Sequence, residues 1–124
     1  LGYNRHTRSF AFMLFFSMVL AHIISQILKP IIGRPRPFVR SPGARLLIHT
    51  PGGYSCPSGH SASSFAASTV IWLFSSRFGT AALILALLIA FSRVFLFVHY
   101  PSDTILGSLL GVLCAFIVIY LYKL

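Results

Sequence analysis

The chain has 124 residues, is 56% hydrophobic and only 9% charged, and carries ten Lys and Arg against one acid, for a net charge of +9. A soluble domain is about 25% charged, so this composition excludes an ordinary soluble enzyme and points to a membrane protein. The single acid, Asp103, also excludes the carboxylate-rich sites that hold pairs of hard cations.

Four apolar blocks follow one another, over residues 10–28, 62–74, 81–98 and 105–121. A helix rises about 1.5 Å per residue and the hydrocarbon core is about 30 Å thick, so about 20 residues cross it. The first and last blocks suffice. The second suffices if it extends over 58–76, with Ser61, Ala62, Ser63, Ser64, Ala66, Ala67 and Ser68 forming a helix-packing face. The third carries Arg93 near its end, where polar cover is required. The expected fold is therefore all-α, a polytopic transmembrane bundle with four spans, forming one unit over 1–124. The first block is too long for a signal-peptide core and lacks a cleavage site.

Between the first two spans, residues 29–59 hold most of the Pro and Gly, among them Gly33, Pro35, Pro37, Gly52, Gly53 and Pro57, and cannot be helical throughout. Shorter breaks are expected at 75–80 and 99–102. Cys56 in the loop and Cys114 within the last span are too far apart to bridge. The residue six after Cys56 is Ala62 and not Arg, which rules out a cysteine-based phosphatase loop.

An up-down-up-down course brings residues 29–60 and 93–103 to one membrane face and leaves Arg5, Arg8, Arg77 and Lys123 at the other. The first face then carries six cations, Lys29, Arg34, Arg36, Arg40, Arg45 and Arg93. Counted by the positive-inside rule it would be cytoplasmic. Cations that bind an anionic ligand do not report topology, however, and on that basis the expected location of this face is periplasmic or extracytoplasmic, in a cell membrane.

The same face gathers two histidines, His60 and His99, a serine and a glycine, Ser58 and Gly59, and Asp103. Guanidinium forks match phosphate oxygens bidentately, lysine adds a point charge, and the free amides at a helix start favour the same ligand. The alternative is that these cations are snorkelling anchors at headgroup level, which the two accompanying histidines argue against. His99 and Asp103 lie four residues apart with Pro101 suited to a helix start between them. Asp103 can hold one ring nitrogen protonated and leave the other free as a nucleophile, giving a phosphohistidine. His60 can protonate the leaving oxygen and then activate water. Hydrolysis by this set would be independent of metal, with no cofactor.

Three stretches, Lys29-x6-Arg36-Pro37, Pro57-Ser58-Gly59-His60 and Ser92-Arg93-x5-His99-x3-Asp103, resemble in order the three signatures of the type 2 phosphatidic acid phosphatase superfamily, the integral-membrane lipid phosphate phosphatases. The resemblance covers about residues 29–111. It implies His99 as nucleophile, Asp103 as its orienting partner, His60 as general acid, and Lys29, Arg36, Ser58, Gly59 and Arg93 as phosphate ligands. It also implies a six-helix core, of which these four spans are the C-terminal part. Bacterial members act on undecaprenyl diphosphate, phosphatidylglycerol phosphate, phosphatidic acid or lipid A phosphates. Arg34 and Arg40 are candidates for a second phosphate or a headgroup, which favours the polyprenyl diphosphate.

The implied partners are the bilayer and a lipid phosphate, with no nucleic acid and no protein partner expected. Two further readings stay open: a lipid phosphotransferase, and a non-catalytic binder or transporter of anionic lipids that uses the cations but not the histidines. A soluble haloperoxidase sharing this anion pocket is contradicted by the apolar spans.

Overall fold

The computed structural model describes residues 4–124, and every regular element among them is helical. The helices are α1 (Arg5–Ile32), α2 (Gly59–Phe74), α3 (Ser76–Phe95) and α4 (Pro101–Lys123), with a short 3-10 turn at Pro37–Arg40. The segments Arg5–Arg40, Ser76–Phe95 and Pro101–Lys123 are long and apolar enough to cross a membrane.

The second expected span is shorter than 58–76. Helix α2 has 16 residues, about 24 Å of rise, and stops because Ser75 adopts an extended backbone (φ −156°, ψ 112°). The expected break at 75–80 shrinks to that one residue, since α3 begins at Ser76. This tight reversal presses Gly79 against the Trp72 backbone, where any side chain would overlap it.

The first helix is longer than its apolar block at both ends, so Lys29 stands in its last turn and not in the loop. Gly33 ends it in the left-handed region (φ 64°), its N–H donating to the Lys29 carbonyl at 2.8 Å, a conformation open to glycine without a steric penalty.

Helix α2 is the hub, packing on α1, α3 and α4, whereas α1 and α3 do not touch. Part of the expected small-residue face packs against other helices, with Ser61, Ala62 and Ala66 fully buried, whereas Ser63, Ser64 and Ala67 are half-buried and line a cavity. Helix α4 approaches that face through Gly107 and Gly111, where a Cβ would collide with the carbonyls of Ser58 and Ala62. The core continues through Ala21 and Cys114, then through Met13, Val70, Ala115, Val118 and Ile119. Both cysteines are free and buried. Large apolar side chains such as Phe15, Leu88, Phe91 and Leu109 point outward, as the lipid-facing side of a membrane bundle requires.

The C-termini of α1 and α3 and the N-termini of α2 and α4 meet at one end. At the opposite end, Ser9 and Tyr122 share a hydrogen bond of 2.7 Å between α1 and α4.

Candidate active site

A cavity of about 570 Å3 opens at the loop end between α1, α2 and α3. Lys29, Arg36, Gly59, His60, Arg93 and His99 line its polar end. Six of the residues singled out in the sequence thus share one space, although they come from three separate stretches of chain.

Local backbone chemistry explains the layout of the second and third signatures. At the end of α3, Phe97 takes a left-handed conformation (φ 62°), and the N–H groups of Val98 and His99 both return to the Arg93 carbonyl at 3.3 and 3.2 Å. The reversal brings His99 back over Arg93, which is why five residues separate them. Tyr100 then caps α4 and Pro101 opens it, where a missing N–H costs nothing. Asp103, in the first turn, accepts the Tyr100 N–H on Oδ2 at 2.8 Å. In the second signature, Ser58 caps α2, its hydroxyl accepting from the Ser61 N–H at 3.4 Å, and its own N–H donates to the Asp103 carbonyl at 3.0 Å. The two helix starts are therefore tied together.

Arg36 is 5% exposed and fans across the site. Its Nε donates to the Gly53 carbonyl at 3.2 Å, Nη2 to Gly52 at 3.0 Å and Nη1 to Val98 at 3.1 Å, and Nη1 also lies 3.4 Å from His99 Nε2. One guanidinium therefore joins the long loop to the turn that carries His99. Burial, and next the Arg36 charge, push the His99 imidazole down from 6.5 to about 4, so the ring is neutral near pH 7.

Asp103 is fully buried beside that ring, with Oδ2 3.7 Å from His99 Nδ1, too long for a hydrogen bond. Its Oδ1 instead accepts from Arg34 Nη1 at 2.8 Å. His99 Nδ1 is left buried without a hydrogen-bond partner among the described residues, as is Arg93 Nε. Because the chain has one acid and Arg34 takes it, Lys29, Arg36 and Arg93 face the cavity with no carboxylate to neutralise them. Among the described residues no cluster of three or more His, Cys, Asp or Glu could hold a metal ion.

Arg34 and Arg40 stand elsewhere. They line a separate small hollow with Tyr100 and Ser102. Arg34 Nη1 also donates to Ser102 Oγ at 2.6 Å, with its guanidinium over the Tyr100 ring. The structure does not bring either arginine to the cavity, because the carboxylate buried under the start of α4 attracts Arg34. Asp103 and Ser58 are likewise buried behind the cavity wall rather than on it. Two polar residues not singled out in the sequence do line it: His22 and Gln26, on α1 below Lys29. The available signal was an ionisable residue inside an apolar span, which by default marks function.

The sequence matches the PAP2 superfamily over residues 10–124. The chain belongs to that superfamily. It is 36% identical over 106 residues to the bacitracin transport permease protein BcrC of Bacillus licheniformis, covering 82% of this chain and 52% of that protein. It is 33% identical over 108 residues to the undecaprenyl-diphosphatase of Sulfolobus acidocaldarius, covering 86% of this chain and 52% of that protein. The fold is similar to the crystal structure of Aquifex aeolicus LpxE, with a TM-score of 0.75 and 28% identity over 87% of this chain and 66% of that one. The chain thus spans about half the length of these curated relatives. It is a membrane protein of the PAP2 superfamily, and its motif residues meet at one end of the bundle.

Proposed function

We propose that the chain is a lipid phosphatase whose single transmembrane unit, residues 1–124, transfers the terminal phosphoryl group of a lipid phosphate to His99 and then to water. The observation that carries this reading is charge without counter-charge: Lys29, Arg36 and Arg93 surround two histidines, and the one carboxylate is engaged outside the cavity. A phosphate would pair with all three cations and satisfy the buried Arg93 Nε.

In the first step His99 Nε2 attacks phosphorus. The N–P bond forms as the P–O bond to the lipid breaks, and its electron pair leaves on the lipid oxygen, which His60 protonates. The charge developing on the imidazole draws Nδ1–H toward Asp103, closing the 3.7 Å gap, since catalytic hydrogen bonds tighten once the substrate is bound. In the second step His60 removes a proton from water, the water oxygen attacks phosphorus, the N–P bond breaks, and phosphate is released with His99 restored. Gly59 offers its amide at the start of α2, while Ser58 and Asp103 hold the two helix starts in place.

The substrate in this reading is a polyprenyl diphosphate, the class in the name of the Sulfolobus relative, presented from the extracytoplasmic side of the cell membrane. The cavity supports a lipid substrate because its far end is apolar, reaching Ile71, Leu85 and Ile89. The test is phosphate release from undecaprenyl diphosphate, phosphatidylglycerol phosphate, phosphatidic acid and lipid A phosphates in detergent, with and without EDTA. Release that persists in EDTA and is lost in His99→Ala is expected. Loss in EDTA would overturn the metal-free steps. Release unaffected by His99→Ala would overturn the nucleophile, and lipid binding without any release would favour an anionic-lipid binder or transporter.

A further inference from the structure

Helix α1 presents a graded stripe to the cavity: Lys29, then Gln26, then His22, then Met18. At about 1.5 Å per residue these sit about 4.5, 10 and 16 Å below Lys29 along the helix. The order runs from cation through two hydrogen-bonding side chains to an apolar one. Opposite the middle of this stripe is the start of α2, where a Cβ on Gly59 would lie 3.6 Å from His22 Nδ1 and 3.7 Å from Gln26 Nε2. Among the described residues no hydrogen bond engages either side chain; only the His22 backbone carbonyl is used, by Ser25.

Resting on the lipid phosphatase reading, we infer that His22 and Gln26 form a leaving-group subsite that binds the lipid-proximal phosphate of a lipid diphosphate. The terminal phosphate occupies the level of Lys29, Arg36 and Arg93. The next phosphate falls at the level of Gln26 and His22, and the tail starts at Met18, where the lining turns apolar. A lipid monophosphate would place an ester oxygen and uncharged carbon atoms at that middle level.

The chemistry distinguishes the two cases. When the leaving group is itself a phosphate ester, the electron pair of the broken P–O bond is shared among oxygens that need donors more than a full proton. The Gln26 amide and an imidazole N–H supply donors where that charge develops, which lowers the barrier for the diphosphate selectively. Hydrogen-bond donors suit the task, since a lysine or arginine at this depth in the membrane would carry a large desolvation cost without the ligand. Arg34 and Arg40, the expected second-phosphate or headgroup contacts, line a separate hollow with Tyr100 and Ser102.

The deciding experiment compares farnesyl diphosphate with farnesyl monophosphate, which share a tail, in wild type, His22→Ala, Gln26→Ala, the double variant and His22→Gln. The ratio of kcat/KM values, diphosphate over monophosphate, is expected to fall about tenfold in the double variant, equivalent to about 1.4 kcal/mol. His22→Gln, which keeps an N–H donor, recovers part of it. In parallel, calorimetric affinity for inorganic diphosphate relative to inorganic phosphate is expected to fall in the double variant. Equal changes for both lipids and both anions in every variant, or no change in either ratio, would overturn the subsite. No phosphate release from either lipid by wild type would instead defeat the phosphatase reading, and the calorimetric ratio would still decide whether the two side chains bind a second phosphate.

Discussion

Replacing Arg36 by Lys keeps the charge and removes the fork, so it separates geometry from electrostatics. The guanidinium reaches three carbonyls at 3.0, 3.1 and 3.2 Å and lies 3.4 Å from His99 Nε2. A lysine ammonium is one point and cannot reach the Gly52 and Gly53 carbonyls on one side and Val98 on the other. If it stays with the loop, the Val98 carbonyl, in a residue with no exposure, loses its partner at a cost of about 1–3 kcal/mol. If it moves to Val98, the loop carbonyls rehydrate at smaller cost, because Gly52 and Gly53 are exposed, but the loop is released. Stability falls by about 2 kcal/mol in the first case and by less in the second. The turn bearing His99 is also no longer pinned, and misplacement of about 1 Å costs about a hundredfold in rate. Thermal unfolding in detergent and kcat/KM for phosphate release from a lipid diphosphate measure the two effects. Turnover within about threefold of wild type, with Arg36→Ala inactive, would show that only the charge matters and refute the pinning argument.

Asp103→Asn keeps an oxygen to accept the Tyr100 N–H but loses the charge that faces Arg34 and His99. The expected result is a folded protein that still binds phosphate, with phosphoryl transfer slowed about a hundredfold or more in single-turnover kinetics. Gly107→Ala drives a methyl into the Ser58 carbonyl, with Ser61 Cβ only 3.2 Å away. Such overpacking costs about 1–3 kcal/mol, and the shift of Ser58 should lower kcat as well as the melting temperature, both measurable on one preparation. The His99 pKa yields a stability profile. Folded His99 titrates at about 4 against 6.5 for the ordinary group, so between these values the unfolded chain takes up a proton that the folded chain refuses. The stability contribution is intact above pH 6.5 and is lost as pH falls to about 4, by about 3 kcal/mol in all. Chemical denaturation across that window should show this slope in wild type and a flatter one in His99→Gln.

Much of the site was legible because its residues stand at helix ends, where sequence rules are strong. Pro101 marks the start of α4, Ser58 caps α2, and counting apolar blocks puts Lys29, His60, Arg93 and His99 on one face. What was not legible depends on partners distant in sequence. Arg34 and Arg36 are two residues apart with prolines after each, and nothing local distinguishes them. They diverge because Asp103 draws one outward while the Gly52, Gly53 and Val98 carbonyls hold the other inside. The span expected over 58–76 is longer than α2 because Ser58 caps the helix rather than joining it, and Ser75 alone turns the chain into α3. His22 and Gln26 were hidden by averaging hydropathy over a block; their spacing back from Lys29, three and then four residues, puts all three on one helix face.

The most direct test of the proposed chemistry is to trap the phosphoenzyme. In His60→Ala, given a lipid diphosphate labelled in its terminal phosphate, the leaving phosphate needs little protonation while water is no longer activated, so the intermediate should accumulate. Quenching within the first turnover and mapping the label is predicted to place it on His99, stable to alkali and labile to acid. Label on another residue, or wild-type turnover with no label on His99 at any quench time, would contradict a phosphohistidine mechanism.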